Sequence, residues 1–326
     1  MKNIISRYLP LLVLAALLVI WSAPASAENP AKKPAARAPF TVALVPDTQF
    51  YSLKYPERFE AQMHWIKQRA KADNIRFAIH LGDIVHNNTV KEWEAADKAY
   101  AILDGAVPYS VVPGNHDMAN VERKLTRDTS RYNKYFPPSR YKQRPWYGGH
   151  MGKTNDNNYC LFEGGGMKFM VLSLEFVPTD EALKWAGEVI AKHKDRRVIV
   201  ATHCYLLSNN QRDKSSAQAY RLKGNTGEQM WQKLIRKHAN IHMVVSGHIL
   251  GVGRRTDKND AGHPVHQILT DYQGLANGGD GWLRTMRFVP AENKIYVKAY
   301  SPTLKKHNDD PKHSFSIDYD MTPVEK

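Results

Sequence analysis

Cysteine is nearly absent from this chain of 326 residues, which carries only Cys160 and Cys204. Two thiols do not make the disulfide framework of a small exported scaffold, so an apolar core must hold the fold. Acidic residues are also in deficit, 32 Asp and Glu against 46 Lys and Arg, which leaves a formal charge of +14. That sign favours anionic partners. The charge is nevertheless spread along the chain, with no long Lys/Arg block and no recognisable nucleic-acid module. Binding to DNA or RNA, and a nuclease, are set aside on that ground. No internal repeat is visible, and past the N-terminus no stretch is apolar enough to cross a bilayer, where ~20 residues are needed.

The N-terminus opens with Lys2 and Arg7, runs apolar from Leu9 to Trp21 and reaches Ala25-Ser26-Ala27, a small-x-small pattern. This predicts a secretory signal peptide over 1–27, cut after Ala27. No Cys follows the apolar run, so a lipoprotein anchor is not expected. The chain is therefore expected to be periplasmic or secreted, with no stable membrane anchor after cleavage. Residues 28–39 are basic, rich in Pro and Ala and without large apolar side chains, and read as a disordered leader. One folded domain is expected over 40–326.

Short apolar, β-branched runs occur at 40–45, 76–81, 109–112, 168–174, 197–201 and 241–245. Between some of them lie helical patterns. The stretch 56–72 carries Phe59, Met63, Ile66 and Ala70, and 90–103 carries Trp93, Ala96, Tyr100 and Leu103. The stretches 180–193 and 227–238 behave alike. Such alternation predicts an α/β layered domain. Later runs at 265–269, 285–289, 294–299 and 314–318 have no long helix between them and predict antiparallel strands of a second sheet. The Tyr-, Arg-, Pro- and Gly-rich stretch 126–158 reads as a long surface excursion of the kind that shapes binding sites.

The residues directly after each apolar run carry the chemistry. The runs lead into Pro46-Asp47-Thr48-Gln49, Gly82-Asp83, Gly114-Asn115-His116-Asp117, Thr202-His203 and Gly247-His248. Alone, each is an ordinary turn or helix cap. Together they deliver carboxylate, amide and imidazole donors to the C-terminal ends of five strands, where open α/β sheets bind ligands. Asp, Asn and His in one set suit a borderline divalent metal.

In order and context these motifs resemble those of the calcineurin-like metallophosphoesterase superfamily, over about 40–300. VPDTQFY at 45–51, WYGG at 146–149 and GWLR at 281–284 further resemble a secreted bacterial group with Asp-Thr-Gln in place of Asp-x-His. The resemblance implies a single-domain, four-layered α/β/β/α sandwich holding two divalent ions, Mn, Fe or Zn. Asp83 would bridge the ions, Asn115, His203 and His248 would complete one site, and Asp47 and Gln49 would serve the other. A metal-bound hydroxide would attack phosphorus while His116 assists the leaving group. Asp117 would either orient the His116 imidazole or cap a helix.

This chain departs from the superfamily pattern at Gln49 and Leu250, both on the same ion, where His is usual. A Gln carbonyl is a weaker donor than imidazole and Leu offers none. The second site is thus expected to be weak, or filled by His263 or His266. A small phosphorylated substrate is expected, with His86 and Arg284 as its contacts. The competing reading is a phosphate-ligand binding protein with one metal and little turnover. Retention of His116 favours the enzyme. Nothing in the sequence fixes the oligomeric state.

Overall fold

A computed structural model describes residues 37–322. The expected signal peptide, the leader up to residue 36 and the last four residues lie outside the described residues. Residues 37–39, counted with the leader, are tied down. The Pro39 carbonyl accepts from Asn74 Nδ2 at 2.8 Å, and the Arg37 guanidinium donates to the Met321 carbonyl.

Alternate residues of a strand face opposite ways, and here both faces find a core. In Phe40–Val45, the side chains of Phe40, Val42 and Leu44 point into the space between two sheets, while Ala43 and Val45 meet helices outside. The strand Arg197–Thr202 mirrors this, with Ile199 and Ala201 inward and Val198 and Val200 outward. Burial on both faces explains why these strands read as continuous apolar runs rather than alternating ones.

The first sheet runs in the order Lys306–Asn308, Lys294–Ser301, Leu283–Val289, Phe40–Val45, Ile75–His80, Tyr109–Ser110, with Phe315–Asp318 also paired to Lys294–Ser301. The second runs Gly251–Lys258, Pro264–Asp271, Ile241–Ser246, Arg197–Thr202, Met167–Leu174, Asn158–Gly164, Tyr147–His150. Helices Pro56–Arg69 and Val90–Ala101 cover the first sheet, and Asp180–Lys192 and Gly227–Lys233 cover the second. The result is an α/β/β/α sandwich. Thr89 and Thr226 start two of these helices with reciprocal capping boxes to Glu92 and Gln229, which satisfy otherwise orphaned N–H groups.

Two expectations need correction. The late strands Leu283–Val289, Lys294–Ser301 and Phe315–Asp318 extend the first sheet beside Phe40–Val45, not a second one. Of the late runs, Pro264–Asp271 alone joins the second sheet, and it pairs parallel with Ile241–Ser246. The stretch 126–158 is also no simple surface excursion. It folds back so that Tyr132, Phe136 and Tyr141 are buried in the aromatic core around Trp93, Tyr100 and Tyr109, with Trp146 and Tyr147 against them. Aromatic rings without a regular period hid that burial. Cys160 and Cys204 are free, buried and in different apolar clusters.

Candidate metal centre

Parallel strands of both sheets end on one side of the sandwich, and their following turns meet there. The backbone stitches the turns together. Thr48 N donates to the Asp83 carbonyl at 3.1 Å, His248 N to Asp47 Oδ1 at 3.0 Å, and His116 N to Asp83 Oδ1 at 2.9 Å. His203 Nδ1 lies 2.8 Å from the Leu81 carbonyl, which bridges the two sheets. Ligand atoms of Asp83, His203 and His248 all lie within 4.8 Å of one another.

The tautomer of His203 decides what this cluster can hold. A carbonyl only accepts, so Nδ1 carries the proton given to Leu81 and Nε2 offers a lone pair. Around Nε2 stand Asp83 Oδ1 at 3.1 Å, Asn115 Oδ1 at 3.2 Å and His248 Nδ1 at 3.2 Å. Lone pairs converging in a buried pocket repel unless a cation or a proton sits among them. Without a metal the cluster takes a proton. Burial alone would lower the His203 pKa, but Asp83 and Asp47 overcome it and push it up to about 10. Burial likewise pushes His248 down to about 4, with the His203 cation adding to it. A mixed Asp/Asn/His donor set of this kind fits a borderline divalent ion.

Strain and close packing mark the same turns. Asp83 and His248 adopt left-handed conformations, φ 52° and 71°, which cost a side-chain-bearing residue on the order of 1–3 kcal/mol each. Two glycines are required by close approach. A Cβ on Gly114 would stand 2.2 Å from Asp83 Oδ1, and one on Gly247 would stand 2.3 Å from Asp47 Oδ2.

The other half of the centre is made of oxygen. Asp47 is buried, and its Oδ2 has no hydrogen-bond partner. Gln49 is buried too. Its Nε2 donates to Gln273 Oε1, while its own Oε1 is unpartnered. Asp271 ends the strand Pro264–Asp271 beside them, buried. Burial raises the pKa of Asp47 well above the carboxylate range, with Asp271 adding to the rise. Asp271 is itself pushed up to about 6, chiefly by burial. Leu250 points to solvent at 59% exposure. His263 and His266, the candidates to fill in, are elsewhere. His266 Nδ1 meets Thr256 Oγ1 at 3.0 Å, and His263 is exposed with Nδ1 on the Ala239 carbonyl. Both lie toward the opposite end of the strand that carries Asp271.

His116 lines a cleft of about 960 Å³ together with Asn115, His86, Arg123, Lys124 and Arg221. Its Nδ1 is 2.6 Å from the His86 carbonyl, and its ring stacks on the His86 ring at 4.8 Å. Asp117 does neither job expected of it. Its carboxylate makes no hydrogen bond to the imidazole and accepts from the backbone N–H groups of Ile84, Val85 and Gly114 at 2.8–3.1 Å, tying the Asp83 turn to the Asn115 turn. Burial and the nearby Asp83 push it up to about 7. Arg284 is corrected as well. Fully buried, it donates to the Leu269 and Lys312 carbonyls and to Thr270 Oγ1, so it holds strands together and does not reach the cleft.

Three residues of the centre escaped the sequence reading: His80, Asp271 and Gln273. His80 braces two turns. Its Nδ1 accepts from Gly82 N at 3.0 Å and its Nε2 meets Thr48 Oγ1 at 2.9 Å, while burial lowers its pKa to about 3 and keeps it neutral. The signal for Asp271 was present: it is an acidic residue ending an apolar run, the same pattern as at Asp47.

Comparison with known proteins agrees with this architecture. The family model for calcineurin-like phosphoesterases matches residues 40–251. YvnB of Bacillus subtilis (strain 168) is 34% identical over 304 residues, covering 89% of this chain and 22% of that protein. The chain thus spans under a quarter of that relative's length. Serine/threonine-protein phosphatase CPPED1 of Homo sapiens is 24% identical over 242 residues, covering 65% of this chain and 69% of the relative. Among solved structures, a dimetal phosphatase from Danio rerio superposes with a TM-score of 0.53 at 17% identity, over 86% of this chain and 99% of that one. A purple acid phosphatase from yellow lupin gives 0.55 at 12% identity, over 87% and 54%. At such identities these two show the shared fold alone. With two thirds of its length matched by the family model and the donor-bearing turns inside that match, the chain belongs to the calcineurin-like phosphoesterase family.

Proposed function

We propose that this chain is a metal-dependent hydrolase of phosphate mono- or diesters with a small phosphorylated substrate. One observation carries the reading: Asp83, Asn115 and His248 aim acceptor atoms at His203 Nε2 from 3.1–3.2 Å, and Asn115 also lines the cleft that contains His116. Asn115, His203 and His248 with Asp83 would hold one ion, and Asp47 and Gln49 with Asp83 a second. When bound, such ions supply Lewis-acid polarisation of phosphoryl oxygens and an acidified water.

The remaining work falls to the protein. His116 donates its Nδ1–H to the His86 carbonyl, so its Nε2 faces the leaving oxygen and can protonate it when the ring carries both protons, leaving the neutral Nδ1–H tautomer behind. The carbonyl, with the stacked His86 ring, fixes that tautomer and orientation, the task expected of Asp117. Arg123, Lys124 and Arg221 on the cleft wall attract an anion and raise its local concentration. Asp117 keeps the two turns in register.

Metal analysis of the purified protein, followed by hydrolysis of an aryl phosphate and an aryl phosphodiester after loading Mn, Fe or Zn, tests the reading. His116→Ala is expected to keep its metal and lose ~10²–10⁴-fold in kcat. Full activity in that variant would remove His116 from the mechanism. Export belongs to the same proposal and rests on the N-terminal pattern. The exported protein is expected to begin at Glu28, and N-terminal sequencing that finds Met1 instead would end it. Among the described residues no helix is long and apolar enough to cross a membrane.

A further inference from the structure

We propose that Asp271 takes the ligand position left open at residue 250, and that Gln273 and Gln49 form a relay aiming the Gln49 carbonyl oxygen at the same ion, so that the second site is built of oxygen alone. This rests on the metal-centre reading above and goes past it by naming the residues and the class of cation.

Strand register is the first support. Asp271 pairs across the antiparallel ladder with Gly251, the residue next to Leu250. Its buried carboxylate is linked through Gln273 to Gln49, while the Leu250 side chain turns outward. Charge is the second. Asp47, Asp83 and Asp271 are all buried, and among the described residues none of the three pairs with a Lys or Arg. The nearby cation, Arg284, is taken up by carbonyls and a hydroxyl. Three buried carboxylates thus face one imidazole, His203, and no Lys or Arg, a deficit of positive charge that a cation offsets. Third are the unpartnered buried atoms, Asp47 Oδ2 and Gln49 Oε1.

The relay is dictated by the donors each group has. Asp271 as a carboxylate only accepts, from Gln273 N at 2.8 Å and Gln273 Nε2 at 2.9 Å. Gln273 must then turn Oε1 toward Gln49, and Gln49 must answer with Nε2. The Gln49 atom left free is the carbonyl oxygen. Asp47, Gln49, Asp83 and Asp271 thus offer oxygens only, a set that suits hard cations such as Mg or Mn.

Two variants of the full chain test this, with Mn bound per chain read by elemental analysis and calorimetry. The coupling between two Mn ions is read by electron paramagnetic resonance. The wild-type chain is expected to take two Mn per chain with a coupled spectrum. Asp271→Asn is expected to weaken one ion on the order of 10–100-fold, leaving one Mn per chain and an isolated-ion spectrum. Gln273→Leu removes the relay, keeps Asp271 and is expected to weaken the same ion about tenfold. It carries the test if Asp271→Asn shows no cooperative melting transition. Two coupled Mn ions held with unchanged affinity in both variants would overturn this inference and leave the proposed function standing. A wild-type chain that takes up no divalent ion overturns both.

Discussion

The two halves of the metal centre are built from different chemistry. His203, His248 and Asn115 give one half nitrogen and amide donors on turns that follow parallel strands. Asp47, Gln49 and Asp271 give the other half oxygen, and Asp271 arrives at the end of a strand some two hundred residues further along the chain. In the proposed centre the halves share Asp83. If Asp271 fills the proposed place, the difference teaches that a family's ligand can be lost in sequence while its place is covered in space by an adjacent strand.

The largest way to break the comparison is to remove what the halves share. Asp83→Asn keeps the shape and deletes the charge facing His203. It is expected to empty both halves, cutting metal content and lowering kcat/KM by ~10³-fold or more, about 4 kcal/mol of transition-state stabilisation. Elemental analysis beside steady-state kinetics checks it. One ion retained at full affinity would mean that Asp83 serves a single half.

Proton release sharpens the comparison next. In the metal-free protein, burial opposes and Asp83 and Asp47 favour a proton on His203, whose pKa stands near 10, above the ordinary histidine value. A raised folded pKa of this kind stabilises the metal-free fold fully below about pH 6.5. That contribution is lost as pH climbs through about 10. Metal must displace this proton. Loading the imidazole half near pH 8 is therefore expected to release about one proton from His203, and the apparent affinity to rise up to about tenfold per pH unit below the pKa. Calorimetry in buffers of different ionisation enthalpy reads the proton count. A count of zero would show that His203 is already neutral in the empty site.

Much of this was legible in the sequence, for identifiable reasons. The sandwich strands declared themselves because burial on both faces makes short continuous apolar runs, as at 40–45 and 197–201. The turns declared themselves because each places a polar donor directly after such a run. Side-chain direction was not legible. Nothing local says that Asp117 would accept three backbone N–H groups and leave the imidazole to a carbonyl. Nor does it say that Arg284, in a motif next to Trp282, would end fully buried. Sheet membership was equally hidden, since whether 285–289 joins the first or second sheet depends on a long-range pairing with Phe40–Val45. Asp271 combined both difficulties: its role appears only once the register opposite Gly251 is known.

The smallest expected effect separates the register account from the histidine account of the second site. If an imidazole fills the place of residue 250, His263 and His266 are the residues to remove. A strand advances about 3.3 Å per residue, so His263, eight residues before Asp271, stands on the order of 26 Å from it along the ladder. His266, five residues before, stands about 17 Å away. A coordination bond reaches ~2 Å. His263→Ala, at an exposed position, is expected to leave metal content and kcat unchanged and stability within about 0.5 kcal/mol. Loss of an ion in that variant would require the strand to slide by most of its length, carrying Asp271 off the centre and undoing the register on which the oxygen half is built.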